Sequence, residues 1–387
     1  MDLSIIIPTY NEAENLAPML AQVFQVLRDN DIRGEVIVVD DDSPDRTWEL
    51  AQALVVRYKG LRVIRRQGER GLATAVLAGL KAASSEKFLV MDADLSHPPE
   101  LIPKLYQALD KADISVASRN VKGGGVRGWP LSRKAISWGA TTIAKLLTDV
   151  KDPMSGFFAL RKDVVDGVEL DPTGYKILLE VLVRGRYERV EEIPFVFEDR
   201  KTGTSKMSSG IITKYVSHAW SLLKVARTTR AQLARFLMVG GLGILVNLAV
   251  LWALVDLASW NYLPAAALSF VAAVTFNFAG NRAFAFRDES RGAGRVASQY
   301  AKFFAVSAGS LVVNLAALFV LVDAAHLWYI LGQVIAIVAA TACNFAGNKL
   351  WTFRPAPTVQ KVPSVRATAL RAMIMGHFHG YEGNRAR

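Results

Sequence analysis

Phe88-Leu89-Val90-Met91-Asp92-Ala93-Asp94-Leu95-Ser96-His97-Pro98-Pro99 is the stretch on which the reading of this chain turns. Four apolar residues predict a buried strand. Two carboxylates one residue apart follow, and Pro98-Pro99 stops the strand and starts a helix. Residues i and i+2 of an extended chain point to one side. Asp92 and Asp94 are therefore expected on one face at the end of a strand, where an open α/β sheet places its ligands. Two hard oxygen ligands on so short a span suit Mg²⁺ or Mn²⁺ bridging to a diphosphate, because such an ion keeps positions for substrate oxygens. A lone Asp-x-Asp is also a common solvated turn, so the rest of the chain must decide.

Upstream, strands alternate with helices. Leu3 to Pro8 is a β-branched run read as the first strand, followed by Thr9-Tyr10-Asn11-Glu12 and a helix to about Asn30. The second strand, Glu35 to Val39, runs into Asp40-Asp41-Asp42-Ser43-Pro44-Asp45, with a helix start at Ser43-Pro44. Three adjacent carboxylates need solvent or partners. A third strand at Leu61 to Ile64, a helix from Leu72, a helix from Pro99 and a strand from Asp113 to Ser118 continue the alternation. The pattern predicts a mostly parallel, helix-covered sheet. Beyond Arg119 come a flexible Lys122-Gly123-Gly124-Gly125, a helix carrying Arg133 and Ser137, and a turn at Asp152-Pro153-Met154-Ser155-Gly156. A strand from Phe157, a helix carrying Glu180, and a strand from Val190 to Phe197 complete this half. A polar tail from Glu198 to Lys206, hinged at Gly203, is of the kind that closes over a nucleotide.

The totals point to a membrane. The 387 residues allow two or three domains, 51% of them are hydrophobic and the net charge is +11. The positive charge concentrates beside long apolar runs, which directs it to anionic lipid headgroups and phosphates rather than nucleic acid. One cysteine, Cys343, excludes a disulfide framework and a Cys/His zinc site. Met1 to Ser4 lacks a basic segment followed by an apolar run, so no signal peptide is expected and the first domain should stay in the cytoplasm.

Residues 236–255, 263–279, 303–322 and 327–347 are apolar runs close to the ~20 residues that cross a bilayer. They repeat. Asn277-Phe278-Ala279-Gly280-Asn281 recurs as Asn344-Phe345-Ala346-Gly347-Asn348, and Asn247 matches Asn314, an offset of 67 (344 − 277 and 314 − 247). The asparagines are expected to hydrogen-bond between helices. Lys and Arg flank one side of the four runs, while the loops at 256–262 and 323–326 have none, which predicts cytoplasmic termini. Residues 211–230 suggest amphipathic helix lying in the interface. Residues from Pro355 onward read as a disordered cytoplasmic tail.

With these motifs in order, Ile6-Ile7-Pro8-Thr9-Tyr10-Asn11-Glu12, Val38-Val39-Asp40-Asp41-Asp42-Ser43-Pro44-Asp45, the Asp92-Ala93-Asp94 stretch and Asp152-Pro153-Met154-Ser155-Gly156-Phe157, the chain resembles the polyprenol-phosphate (dolichol-phosphate) mannose synthases over residues 1 to 354. These are GT-A glycosyltransferases of family 2, and the second half resembles the GtrA-type domain fused to some members. The resemblance implies a Rossmann-like GT-A domain at 1–210, interfacial amphipathic helices at 211–232, an all-α transmembrane domain of four helices at 233–354 and a tail at 355–387. It implies inverting transfer of mannose from GDP-mannose to a polyprenyl (dolichyl) phosphate by an integral protein of a prokaryotic plasma membrane.

Residue by residue, the resemblance puts Pro8, Tyr10 and Glu12, with Val39 and Asp41, on the base and ribose, and Ala93 behind the ribose. It puts the metal and diphosphate on Asp92 and Asp94, and Arg119 facing the donor. Arg133 and Ser137 would hold the acceptor phosphate, Glu180 the mannose, and Arg200 and Lys206 would close over the diphosphate. Where some members carry a glutamine as a further metal ligand this chain has Ser96, whose shorter hydroxyl leaves room for water and leaves the choice of Mg²⁺ or Mn²⁺ open. Membrane lipids are expected partners, and a homo-oligomer stays open. Two other readings remain: transfer of glucose from UDP-glucose, and a non-catalytic membrane protein that binds or translocates lipid while its soluble half senses nucleotide-sugars.

Overall fold

A computed structural model describes residues 1–171, 176–198, 209–288 and 292–354. The chain divides into two units, Met1–Gly241 and Leu242–Arg387. The expected closing residues Arg200, Gly203 and Lys206, and the expected tail from Pro355, lie outside the described residues.

The first unit is built on a seven-stranded sheet. Its strands are β1 (Leu3–Thr9), β2 (Gly34–Asp40), β3 (Leu61–Arg65), β4 (Lys87–Val90), β5 (Ile114–Ser118), β7 (Phe158–Arg161) and β8 (Val190–Pro194), in the order β3-β2-β1-β4-β7-β5-β8. Pairing is parallel except for β7, which runs antiparallel between β4 and β5. The mostly parallel expectation therefore holds with one reversed strand. The apolar run of β7 carries no sign of its direction. Alternate residues of β1 go to opposite faces, Ile5 and Ile7 into one buried cluster and Ile6 into the other. Both faces are covered, which explains why the strands read as continuous apolar runs.

Helices α1 (Ala13–Asp29), α2 (Thr47–Leu54), α3 (Leu72–Ala82) and α4 (Ile102–Ala108) follow the first strands. The second begins three residues later than Pro44 suggests. The Ser43 hydroxyl donates to Asp40 at 2.7 Å and accepts from the Asn11 N–H, so it is not free to cap. Asp45 instead accepts from the Thr47 N–H at 3.0 Å, after Arg46 takes a left-handed φ of 62°. The glycine-rich segment is also tied down. β6 (Gly125–Arg127) pairs in parallel with β9 (Val196–Glu198), and a Cβ on Gly124 would lie 2.5 Å from the Ser118 carbonyl oxygen. The expected single strand from Val190 to Phe197 is thus two, in different sheets. Three more helices complete this unit's fold, α5 (Leu131–Leu147), α6 (Ile177–Arg184) and α7 (Ser209–Val225), with Tyr215, Ala219 and Leu222 of α7 buried against Ala144 and Leu179.

A break at 226–228 separates α7 from α8 (Thr229–Trp252), and α9 (Tyr262–Gly280), α10 (Ala293–Phe319) and α11 (Tyr329–Gly347) follow. Each continues into a five-residue π-helical turn, at 253–257, 281–285, 320–324 and 348–352. The turns repeat at the same offset of 67 (320 − 253 and 348 − 281), so the tandem repeat extends to backbone geometry. With their turns, all four helices are long and apolar enough to cross a membrane. The asparagines are arranged differently from the expectation of bonds between helices. Asn348 Nδ2 donates to the carbonyl and side-chain oxygens of Asn344, one turn back on the same helix. Asn277 packs against Gly243 of α8, where a Cβ would not fit beside its side chain, but its Oδ1 accepts no hydrogen bond there.

Candidate active site

The order β2-β1-β4 places a switch point beside β1, where the chain leaves neighbouring strands in opposite directions and opens a crevice at their carboxyl ends. A cavity of about 180 Å³ lies there, lined by Pro8, Tyr10, Glu12 and Asp41 together with Asp92, Ala93 and Asp94. Six of these come from the ends of β1 and β4, and Asp41 from the end of β2. The three adjacent carboxylates are each compensated separately. Asp40 accepts from Thr9 and Ser43, Asp41 from Arg66 at 2.8 Å and from the Gly71 N–H at 2.8 Å, and Asp42 from Arg65 at 2.6 Å. Asp41 therefore also ties the start of α3 to the cavity.

Asp92 and Asp94 lie beyond β4, which ends at Val90, so strand alternation is not what brings them together. A tight turn does it. Leu95 takes a left-handed φ of 60°, and Ser96 donates to Asp94 Oδ1 from its N–H (3.1 Å) and its hydroxyl (2.6 Å). His97 folds back so that the Asp92 N–H donates to its Nδ1 at 2.9 Å. That bond leaves the proton on Nε2, which lies 3.7 Å from the Asp92 carboxylate. Burial holds the imidazole pKa below the usual histidine range, and its ring stacks on Phe157 at 5.0 Å. A neutral, wedged imidazole thus fixes Asp92.

The same two carboxylates line a second cavity of about 310 Å³, with Ser96, Arg119, Arg133, Ser137 and Lys176. The pair stands at the junction of the two. Arg119 is held by Asp152 through two bonds of 2.7 Å, and Arg133 lies over the Trp129 ring at 4.3 Å. Lys176 donates to the Met154 carbonyl at 3.0 Å. Burial, aided by the nearby Arg119 charge, pulls its pKa down to about 8. Cations thus converge on one cavity from the end of β5, from α5 and from the residue before α6.

Among the described residues no third His, Cys, Asp or Glu joins Asp92 and Asp94 in a metal-holding cluster. The donor set is two hard oxygens facing open space. That fits an ion which takes its remaining ligands from water and substrate, and not a closed structural site.

The cavities gather Pro8, Tyr10, Glu12, Asp41, Asp92, Ala93, Asp94, Ser96, Arg119, Arg133 and Ser137. Val39 and Glu180 are not among their lining. Val39 is buried within the sheet, and Glu180 is buried against His218 at 2.7 Å. Lys176, His97 and Asp152 are the residues that sequence reasoning left without a role. Asp152 and His97 stood inside quoted motifs, whereas nothing local singles out Lys176.

Residues 4–168 match the family described as glycosyl transferase family 2, and residues 235–370 the one described as GtrA/DPMS, transmembrane domain. The mixed sheet and the crevice at its switch point define a GT-A-type glycosyltransferase. A dolichol-phosphate mannosyltransferase of Pyrococcus furiosus is 42% identical over 360 residues, covering 90% of this chain and 98% of that protein. A Saccharomyces cerevisiae enzyme of the same name is 36% identical over 56% of this chain and 85% of its own length. An undecaprenyl-phosphate mannosyltransferase of Micrococcus luteus is 35% identical over 60% of this chain and 99% of its own. The chain belongs to the dolichol-phosphate mannosyltransferase family of family 2 glycosyltransferases, in a form with a fused GtrA-type membrane domain.

Proposed function

We propose that the protein transfers mannose from GDP-mannose to the phosphate of a polyprenyl phosphate, with inversion at the anomeric carbon. One observation carries this reading. Asp92 and Asp94 face a cavity lined by Pro8, Tyr10, Glu12 and Asp41 on one side and a cavity lined by Arg119, Arg133, Ser137 and Lys176 on the other. The names of the P. furiosus and M. luteus relatives support both the sugar and the class of lipid.

The nucleoside lies in the first cavity against Pro8, Tyr10, Glu12 and Asp41, and its diphosphate reaches the carboxylate pair. Asp92 and Asp94, with Ser96 nearby, would hold Mg²⁺ or Mn²⁺, which would supply positive charge for the departing diphosphate. Arg133 and Ser137 hold the acceptor phosphate so that one of its oxygens faces the anomeric carbon opposite the leaving group. Lys176, between the two anions, screens their repulsion. A phosphate monoester is largely ionised near neutral pH because its second pKa is about 6, so the attacking oxygen needs no proton removed. In keeping with this, no described carboxylate lines the second cavity except Asp92 and Asp94. Rate enhancement rests on positioning and fixed charge.

Lys and Arg lie at one end of the four apolar helices, as Arg230, Arg235, Arg282, Arg287, Lys349 and Arg354, while the turns at 258–261 and 325–328 have none. By the positive-inside rule the catalytic unit and both termini are cytoplasmic. On α5 the exposed Leu131 and Trp138 lie beside Lys134, and Trp220 of α7 beside Lys224, as suits helices meeting lipid headgroups.

The test is a transfer assay with radiolabelled GDP-mannose, UDP-glucose and other nucleotide-sugars against short polyprenyl phosphates. Labelled lipid from GDP-mannose is the expected product. Labelled lipid from UDP-glucose alone would change the donor, and no labelled lipid from any donor would leave a binding protein.

A further inference from the structure

No described side chain of α7 lines either cavity, yet α7 packs on α5 and α6, the helices that bring cations to the second one. The Tyr215 hydroxyl donates to the Ala140 carbonyl of α5 at 2.6 Å, and Ala140 lines that cavity one turn beyond Ser137. One turn further along α7, His218 Nε2 lies 2.7 Å from Glu180 Oε2 of α6. An ionised carboxylate can only accept, so Nε2 carries the proton and donates it. Both side chains are closed to solvent, Glu180 at 0% and His218 at 1% exposure. The other oxygen of Glu180 accepts from the Asp171 N–H at 2.9 Å and pairs with Arg184 at 2.6 Å, an ion pair whose N–H is not aligned for a hydrogen bond. Asp171 and Glu180 bracket Lys176 in the chain. Met154, whose carbonyl receives Lys176, is buried in the same apolar cluster as Leu179 of α6 and Ala219 of α7.

We infer that the Glu180–His218 contact is a positioning device for the transfer reaction: it locks α6 to α7, and so fixes Lys176 at one separation from Arg133 and Ser137, which α7 locates through Tyr215. A buried carboxylate with two hydrogen-bond donors and an ion pair has one low-energy placement, because any shift leaves a charge or a donor unpaired. The inference rests on the transfer reading, since the separation matters only if two anions meet in that cavity. Glu180 and His218 touch no substrate in this scheme.

The test uses the full-length protein with GDP-mannose and a short polyprenyl phosphate. His218→Leu removes the donor, and His218→Gln returns an N–H close to where Nε2 was. The expected result is a kcat lower by about 30-fold in His218→Leu, with GDP affinity changed less than about threefold, and recovery to within about threefold of wild type in His218→Gln. Wild-type turnover in a His218→Leu protein that binds GDP normally would overturn the inference. So would a His218→Gln variant as poor as His218→Leu, or parallel loss of GDP binding and turnover, which marks a fold contact only. Should His218→Leu fail to fold, Tyr215→Phe takes its place: it should raise KM for the lipid phosphate severalfold and leave KM for the donor unchanged, and equal KM values would count against the scheme. A wild-type protein without transfer overturns the reading of function and this inference together, whereas wild-type transfer with an indifferent His218→Leu overturns the inference alone.

Discussion

The two units of this chain sort their residues in opposite directions. In the first, Leu3, Ile5, Ile6 and Ile7 are fully buried, while most of the charges face water or a cavity. In the second, Leu245 is 62% exposed and Val312 66%, while Asn281 and Asn348 are 2% and 0% exposed. The same hydrophobic driving force gives both patterns once the solvent is named. Where water surrounds the unit, apolar surface turns inward. Where lipid does, an apolar surface costs nothing and an unpaired polar group costs several kcal/mol, about the desolvation penalty of an amide in hydrocarbon. An exposed leucine in the second unit is therefore evidence of its surroundings, not a defect of packing.

The largest effect should separate chemistry from fold. Replacing Asp92 and Asp94 together by asparagine should lower transfer by about 10³-fold, as loss of transition-state charge stabilisation does. Insertion of the protein into the membrane and its thermal melting should be unchanged, and chelation of divalent ions should mimic the double variant. Retained transfer would remove the pair from the mechanism. Arg133→Ala comes next, with transfer down about 10²-fold and nucleotide binding within twofold, measured by GDP displacement.

The contrast between solvents is tested by matched lysines. Val56, 95% exposed in the first unit, should accept lysine with a change within about 0.5 kcal/mol. Leu245, also exposed but mid-span, should resist it by about 3 kcal/mol, read as loss of insertion or of melting temperature in detergent. Equal tolerance would mean that α8 does not face lipid.

Packing gives a smaller contrast of the same kind. A Cβ on Gly79 would lie 2.4 Å from Ile6 Cγ2, whereas one on Gly309 of α10 meets nothing within 4 Å. Gly79→Ala should destabilise by about 1–3 kcal/mol through overpacking, and Gly309→Ala should be neutral or slightly stabilising.

The smallest effect concerns pH. Lys176 loses its proton near about 8 in the folded protein and near 10.5 in a free chain. Between those values the unfolded state binds more protons, so stability from this group rises as pH rises from about 8 to 10.5. Activity should move the other way, kcat/KM falling above about pH 8 as the cation is lost. Lys176→Met should abolish both trends, in melting curves and in the alkaline limb of the rate profile.

Much of this was legible in the chain because the signals are local. The strand-then-acid pattern at 88–94, the apolar runs and their offset of 67 are properties of neighbouring residues, and each survives into the structure. Where a local rule failed, a longer-range contact had taken the group it needed. Ser43 does not cap α2 because Asp40 and Asn11 already engage its hydroxyl. The carboxylates share a cavity through the folded-back His97, not through strand alternation. Glu180, expected beside the sugar, is buried against His218 outside both cavities.

The sequence by itself determined the kinds of element, the division between water-facing and lipid-facing halves, and the carboxylate pair, since these depend on periodicity and on neighbours in the chain. Only the tertiary structure decided that β7 runs backwards between β4 and β5, and that Arg119, Arg133 and Lys176 meet beside Asp92. Residues so far apart in the chain come together through strand order and helix packing, and the free energy of those choices is spread over the whole core rather than written at any one position.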